Sequence, residues 1–280
     1  MTRTALITGT SSGIGLATAV LLAKAGYAVT ATMRDTRRAD DLLKQADVEG
    51  VTLDVQPLDV TKDDSASSAI AGFMERHGRL DVLVNNAGAG HLGTTEQVSI
   101  QELQHVFDVN LYGVWRVVQA VLPHMRQAGG GRIINISSGS GLLGEPFNDA
   151  YGAAKFAVEG MTECLAPVAL QFGVHVCLIE PGPVNTHFLT NISGMERLGD
   201  ENDPYRPLML AYAADARRRF AEDGQTPAEV AQVVVQAATD DHPKLRYQTS
   251  PMIRNLAAHK LVDPDGYMSL ETASRALGLQ

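Results

Sequence analysis

A single α/β domain built on a doubly wound parallel sheet, with helices on both faces, is the fold class this 280-residue sequence predicts. Two observations predict it. Short apolar runs of strand length alternate with segments of helical period along most of the chain, and alternating β and α calls for a parallel sheet. Most of these are single short apolar runs, as expected of strands covered on both faces. Hydrophobic residues make up 45% and charged residues 20% of the chain, which excludes disorder and fibrous repeats.

The elements follow in order. Ala5-Leu-Ile7 is a strand that stops at a Gly/Ser-rich turn, after which Ile14, Leu16, Ala17, Val20, Leu21 and Leu22 recur at helical spacing up to Gly26. Tyr27 to Thr32, Val55 to Leu58 and Val82 to Val84 are further strands, each separated by a helix-length segment. One helix is expected from about Ile100 to Gln127, a strand from Arg132 to Ser137, a helix from about Ala150 to Phe172 and a strand from Val174 to Glu180. Pro167 lies inside that second helix, where a proline removes a hydrogen bond, and a kink is expected there. After Pro181-Gly-Pro183 the rhythm fails, and about 187–225 reads as an insertion over the sheet. A helix near Pro227 to Thr239, a strand near Leu245 to Thr249 and a C-terminal segment containing Asp263-Pro-Asp-Gly266 complete one domain, 1–280, without linker or repeat.

Composition also bounds the partners. With 23 Lys+Arg against 32 Asp+Glu, the net charge of −9 argues against nucleic acid, whose phosphates demand a basic surface. No apolar run approaches the ~18 residues of a membrane helix, and the first residues turn polar too soon for a signal peptide. Cys164 and Cys177 lie among apolar residues, have no metal-ligand spacing and cannot make a disulfide framework. A cytoplasmic protein without a metal is expected.

Four polar clusters carry the chemistry. Thr8-Gly9-Thr10-Ser11-Ser12-Gly13-Ile14-Gly15 joins a strand to a helix N-terminus, where free N–H groups and the helix dipole favour a phosphate. Its G-x-x-x-G-x-G spacing departs from G-x-G-x-x-G, and alone it is equally compatible with an ordinary Gly-rich turn. Tyr151 and Lys155 are four apart near the start of a helix, so both side chains share one face about a turn apart. A nearby ammonium would stabilise a tyrosinate, which a tyrosine of ordinary pKa near ~10 needs for acid/base work near neutrality. Ser138 follows a strand end, and Asn85-Asn86-Ala87-Gly88 ends another at the same edge, where open α/β sheets bind ligands.

In this order and with these separations, the clusters resemble the short-chain dehydrogenase/reductase family. The resemblance rests on Thr8-Gly9-x-x-x-Gly13-Ile14-Gly15, Leu58-Asp59-Val60-Thr61, Asn85-Asn86-Ala87-Gly88, Asn110, Ser138, Tyr151-x-x-x-Lys155 and Pro181-Gly182-Pro183-Val184. It is dense from Thr4 to Thr186 and implies a Rossmann-like fold. Ala31-Thr-Met-Arg-Asp35, Glu145-Pro-Phe-Asn-Asp-Ala-Tyr151 and Lys244-Leu-Arg-Tyr-Gln-Thr249 look like the 17β-hydroxysteroid and retinol dehydrogenase branch.

The resemblance implies roles. Tyr151 would be the general acid/base, Ser138 would hold the substrate oxygen, Lys155 would lower the Tyr151 pKa and bind the nicotinamide ribose, and Asn110 would fix a water reaching Lys155. Gly9, Ser12, Gly13, Ile14 and Gly15 would hold the pyrophosphate end, and Ser11 would be a second contact for a 2′-phosphate, beside Arg34. Asp59 and Val60 would meet the adenine, Asn86, Ala87 and Gly88 would run along its ribose, and Pro181, Gly182, Val184 and Thr186 would embrace the carboxamide.

The second strand bears on the cofactor. It has no acid at its tip, and Arg34 is placed for a 2′-phosphate, so NADP(H) is expected over NAD(H), unless Arg34 is spent on a salt bridge to Asp35. Leu142, Leu143, Phe147 and His187, with the insertion, suggest an apolar pocket. The expected activity is interconversion of a secondary alcohol and a ketone or aldehyde on a bulky steroid- or retinoid-like substrate. A reductase of small aromatic or aliphatic ketones and a catalytically silent NADP(H)-binding regulator remain alternatives. Family helices of this kind pair across subunits, implying a homodimer or homotetramer.

Overall fold

The structure, a computed structural model, describes residues 2–186, 192–262 and 267–278. Seven strands, β1 (Thr4–Thr8), β2 (Ala28–Met33), β3 (Asp54–Pro57), β4 (Val82–Asn85), β5 (Gly131–Ile136), β6 (Val174–Glu180) and β7 (Arg246–Gln248), form one parallel sheet in the order β3-β2-β1-β4-β5-β6-β7. The chain runs outward from β1 to β3, then returns to place β4 on the other side of β1. Open sheets of this kind take ligands at the carboxyl ends of the strands beside such a reversal.

Ten helices flank the sheet among the described residues: α1 (Gly13–Lys24), α2 (Asp40–Val48), α3 (Asp63–His77), α4 (Ile100–Phe107), α5 (Gly113–Gln127), α6 (Asp149–Leu170), α7 (Arg206–Glu222), α8 (Pro227–Thr239), α9 (Pro251–Val262) and α10 (Tyr267–Ala276). The apolar runs of the strands divide residue by residue between two cores, because side chains alternate across a strand. Ile7, Val29, Ile134 and Ile179 point to the layer of α1 and α8, with Leu22, Leu42 and Val234. Leu6, Leu83, Ile133 and Leu178 point to the layer of α3, α5 and α6, with Phe73, Val117 and Val158. Each such buried side chain contributes about 1.5–3 kcal/mol relative to exposure.

The structure corrects two expectations, at Ile100–Gln127 and at Cys164, and fills in the insertion. The segment Ile100–Gln127 is two helices joined by a π-helical turn, Asp108–Tyr112, rather than one. The insertion contains an ordered helix, α7, whose buried residues are only Met209 and Tyr212, too narrow a stripe to register as a period. Cys164 is exposed on α6, and Cys177 alone is buried. At Pro167, α6 continues to Leu170 without interruption. No described helix is long and apolar enough to cross a membrane. Asp263-Pro-Asp-Gly266 and the first part of the insertion, 187–191, lie outside the described residues.

Candidate active site

The turn from β1 into α1 is fastened to the end of β4. Thr8 Oγ1 accepts from the backbone N–H of Asn86 and of Ala87, each at 3.0 Å, while Asn86 Nδ2 donates to the carbonyls of Thr8 (3.0 Å) and Gly9 (2.9 Å). Thr10 hangs the same turn on β2 through two bonds to Thr32 O, both 3.0 Å. Glycine is required in this crossing. Gly9 has φ +71° and a Cβ there would meet Ala87 Cα at 2.8 Å, and a Cβ on Gly15 would lie 2.3 Å from Gly9 O. With Gly13 and Ile14 opening α1, no side chain caps that helix and no acid stands in its first turn. By contrast α4 and α8 close their N-termini with capping boxes, Ser99/Glu102 and Thr226/Glu229. An uncapped N-terminus over backbone stripped of side chains fits a dinucleotide pyrophosphate, with Ser11 and Ser12 beside it.

At the tip of β2, Asp35 is committed to Arg37. Its carboxylate accepts from Arg37 Nε and Nη2, both 2.9 Å, and from the Arg37 backbone N–H at 3.1 Å. Arg34 is exposed and makes no ion pair with a described carboxylate, so the expected competition between Arg34 and Asp35 is resolved in favour of a free Arg34. Asp59 lies after β3. Burial tends to raise its pKa, but hydrogen bonds from Thr61 together with the Arg34 and Lys62 charges outweigh it and keep the carboxyl low. Val60 is buried and packs toward Gly113, where a Cβ would meet Val60 Cγ2 at 2.8 Å.

The groups expected to act on substrate converge at the ends of β4 and β5 and the start of α6. Ser138 follows β5 and its Oγ accepts from Ser140 N at 3.1 Å, while a hydrogen bond joins Ser138 to the Tyr151 hydroxyl. Lys155 Nζ donates to Ile136 O at 2.9 Å and stands 5.7 Å from the Tyr151 ring centroid. Asn110 sits within the π-helical turn, where its Nδ2 donates to Ala89 O (2.8 Å) and Val106 O (2.9 Å) and its Oδ1 accepts from Ala89 N (3.2 Å). A Cβ on Gly88 would touch both Asn110 Oδ1 (3.1 Å) and Lys155 Nζ (3.8 Å), which places Asn110, Gly88 and Lys155 together. π-Turns of this kind are frequent at functional sites.

Electrostatics depart from expectation here. Burial around the hydroxyl pushes the Tyr151 pKa up to about 12, with the Ser138 hydrogen bond opposing and the Glu145 charge adding to the rise. Lys155 is pushed down to about 8 by burial, opposed by the Glu159 charge. Lys155 is thus not among the groups that lower Tyr151 in this arrangement, because its ammonium is turned to the Ile136 carbonyl. The tyrosine is held as a phenol.

The loop between Ser138 and Tyr151 is tied to α7. Glu145 accepts from Ser140 Oγ (2.8 Å) and from Arg219 Nη1 (2.6 Å), and Asn148 Nδ2 donates to the Tyr212 hydroxyl at 2.7 Å. Phe147 is buried with Leu92, Met209 and Tyr212, its ring 5.9 Å from that of Tyr212, so it anchors the lid helix. Its φ of +63° is strained for a bulky residue and is held by Gly93 N donating to Phe147 O at 2.7 Å. Leu142 and Leu143 are half-buried in the same loop, and His187 lies outside the described residues. The loop after β6 returns to the Gly-rich turn, since a Cβ on Gly13 would meet Thr186 Cγ2 at 3.2 Å. Gly182 packs under Ile253 of α9, and Val184 forms a bridge with Gln225. Pro181 accepts from Gly139 N at 2.8 Å.

Sequence reasoning missed Glu145, Arg219, Glu159, Glu180 and Arg246. Only Glu159 carried a readable signal, its step of four from Lys155 on one helix. It also missed Asn135, which links Asn85 Nδ2 (2.9 Å) to Thr162 Oγ1 (2.9 Å) through the sheet. Among the described residues no group of three or more His, Cys, Asp or Glu is placed to hold a metal.

Comparison with known proteins agrees with this geometry. Residues 3–197 match the family model described as short chain dehydrogenase. Retinol dehydrogenase 8 of Homo sapiens is 42% identical, over 98% of this chain and 90% of that protein, and 17-beta-hydroxysteroid dehydrogenase type 1 of Homo sapiens is 42% identical, over 95% and 83%. A short-chain dehydrogenase from Streptomyces avermitilis has 31% identity and a TM-score of 0.79 over 98% of each chain. Actinorhodin polyketide ketoreductase with NADPH (30%, TM-score 0.78, 91% and 98% covered) and a Burkholderia phymatum short-chain dehydrogenase/reductase with NAD (26%, 0.81, 94% and 94%) share the fold. By fold, cleft and sequence the chain belongs to the short-chain dehydrogenase family of oxidoreductases, in company with retinol and hydroxysteroid dehydrogenases.

Proposed function

We propose that this enzyme is an NADP(H)-dependent oxidoreductase that interconverts a ketone or aldehyde and its alcohol on a bulky apolar substrate. The observation that carries the chemistry is the convergence of Ser138, Tyr151, Lys155 and Asn110 at the carboxyl ends of the strands. The cofactor would lie with its pyrophosphate on the Gly9–Gly15 turn, its adenine toward Asp59 and Val60, its ribose along Asn86–Gly88 and its nicotinamide toward Pro181, Gly182, Val184 and Thr186. A bound nicotinamide ring supplies the hydride or accepts it. Tyr151, held as a phenol, donates its proton to the carbonyl oxygen in reduction and recovers it in oxidation, and Ser138 orients that oxygen. Lys155 holds ribose hydroxyls and restores charge balance when Tyr151 gives up its proton.

Preference for NADP(H) is supported by the free Arg34 beside an Asp35 already neutralised by Arg37. A bulky substrate is supported by the names of the relatives and by a lid helix that packs its Met209 and Tyr212 on Leu92 and Phe147. Assembly into a dimer or tetramer is supported by Tyr112, Trp115, Leu170 and Phe172, exposed at the π-turn, on α5 and at the end of α6. Light scattering tests it.

The functional test follows NADPH consumption over small aromatic ketones, retinal and steroid ketones, with Tyr151→Phe beside the unaltered enzyme. Turnover of a bulky carbonyl, reduced at least about 100-fold in the variant, is expected. Tight NADPH binding without turnover of any carbonyl would overturn the reading and favour a silent regulator.

A further inference from the structure

One turn beyond Lys155, α6 carries charges for which the proposed reaction has no role. Tyr151, Lys155, Glu159 and Glu163 follow at intervals of four and share one helix face. Glu159 is 6% exposed and Glu180, at the end of β6, is 0% exposed. Arg246 of β7 serves all three acids: its Nε lies 3.1 Å from Glu159 Oε2 and 3.0 Å from Glu180 Oε1, and its Nη2 lies 2.6 Å from Glu163 Oε1. Gln248 Nε2 donates to Glu180 Oε2 at 2.5 Å. Glu159 keeps one buried carboxylate oxygen without a hydrogen-bond partner, and the nearby Ser137 Oγ completes no bond of ordinary geometry. This cluster lies directly behind the catalytic groups, for a Cβ on Gly141 would meet Ser137 Oγ (2.7 Å), Glu159 Cγ (3.3 Å) and Lys155 O (3.3 Å).

Burial of a lone carboxylate favours its neutral form, and a guanidinium restores the anion. Burial raises the Glu159 pKa, while the Ser137 hydroxyl and the Arg246 guanidinium oppose the rise. Glu159 in turn is the charge that opposes the fall of Lys155. The charged groups facing Glu159 are Lys155 and Glu163 on its own helix, Glu180 from β6 and Arg246 from β7. Lys260 of α9, packed nearby, is turned to the Phe156 ring at 4.3 Å.

We propose that Arg246 and Glu159 form a buried charge relay to the back of the catalytic helix: Arg246 keeps Glu159 ionised, and the Glu159 carboxylate keeps Lys155 a cation. Glu159 and Arg246 are therefore positioning residues, acting on the reaction only through Lys155. Glu180 competes with Glu159 for the same guanidinium. The inference rests on the role given above to Lys155, yet it can be read without turnover.

The test is NMR of the full chain labelled with 13C at the lysine ε position, titrated without cofactor or substrate from about pH 6 to about pH 10. The Lys155 signal is identified by its loss in Lys155→Met. Its midpoint, near 8 in the unaltered protein, is expected to fall by about one unit or more in Glu159→Gln and to fall in Arg246→Gln, but not in Glu180→Gln. A folded Glu159→Gln protein with an unmoved midpoint overturns the proposal, as does a fall in Glu180→Gln. Should Glu159→Gln not fold, the contrast between Arg246→Gln and Glu180→Gln decides alone. A protein that shows these shifts but never oxidises NADPH refutes the functional reading and leaves the relay standing.

Discussion

Arg34 and Tyr151 each make a claim that one substitution can check. Removing a guanidinium from a phosphate forfeits a charge-assisted bond of about 1.5–3 kcal/mol. Arg34→Ala should therefore weaken NADPH binding about 10- to 100-fold and leave NADH binding nearly unchanged, read by fluorescence titration of both. Equal loss for both cofactors would place Arg34 elsewhere. Tyr151, with its pKa near 12, stays protonated through neutrality, so it does not limit reduction there. Lys155, near 8, loses its charge as pH rises, and the reductive rate should decline above about that value in a pH–rate profile. The Tyr151–Lys155 pair and Ser138 were legible in the sequence because spacing along one helix and the end of one strand fix their neighbourhood. Glu145 and Arg219 were not, being 74 residues apart and joined only when α7 folds over the loop.

Among the elements, the π-turn and the lid helix carry the departures from sequence-based expectation. Helical period alone ran from Ile100 to Gln127, since a π-turn adds a residue without breaking the apolar pattern. Asn110 causes no visible break, yet its amide occupies the Val106 carbonyl that an unbroken helix would use. The lid helix was opaque for a different reason: it buries only Met209 and Tyr212, and the rest of its hold on the site is polar. Arg219→Ala leaves the Glu145 charge near Tyr151 without its ion-pair partner, and the KM for a bulky carbonyl should rise about 10-fold with the NADPH Kd unchanged. Unchanged KM would show that the latch plays no part in substrate binding. The strands, by contrast, were readable to within a residue or two, the inner ones because burial on both faces leaves no choice but a continuous apolar run.

Across the whole molecule, the sheet's polar interior sets a pH signature. Burial, helped by the Glu159 charge, raises Glu180 to about 7, above the ordinary carboxylate value near 4.5. A folded-state pKa raised in this way means that the native protein binds the proton more tightly than the unfolded chain. Stability from this group is full below about 4.5 and declines as pH rises through about 7. Glu180→Gln should flatten that part of the Tm-against-pH curve and raise Tm at pH 8 relative to the unaltered protein, and a lower Tm at pH 8 would contradict it. The reversal of chain direction between β1 and β4 has a wider consequence. The tip of β2 and the turn after β3 stand on one flank of the crossing, while Ser138, Tyr151 and the lid stand on the other, so the proposed function puts coenzyme choice and carbonyl choice in separate stretches of polypeptide. Exchange of the eleven residues 28–38 should thus act as a graft that shifts the currency of reducing power, read as the ratio of kcat/KM for NADPH and NADH, while leaving the reacting centre as it was.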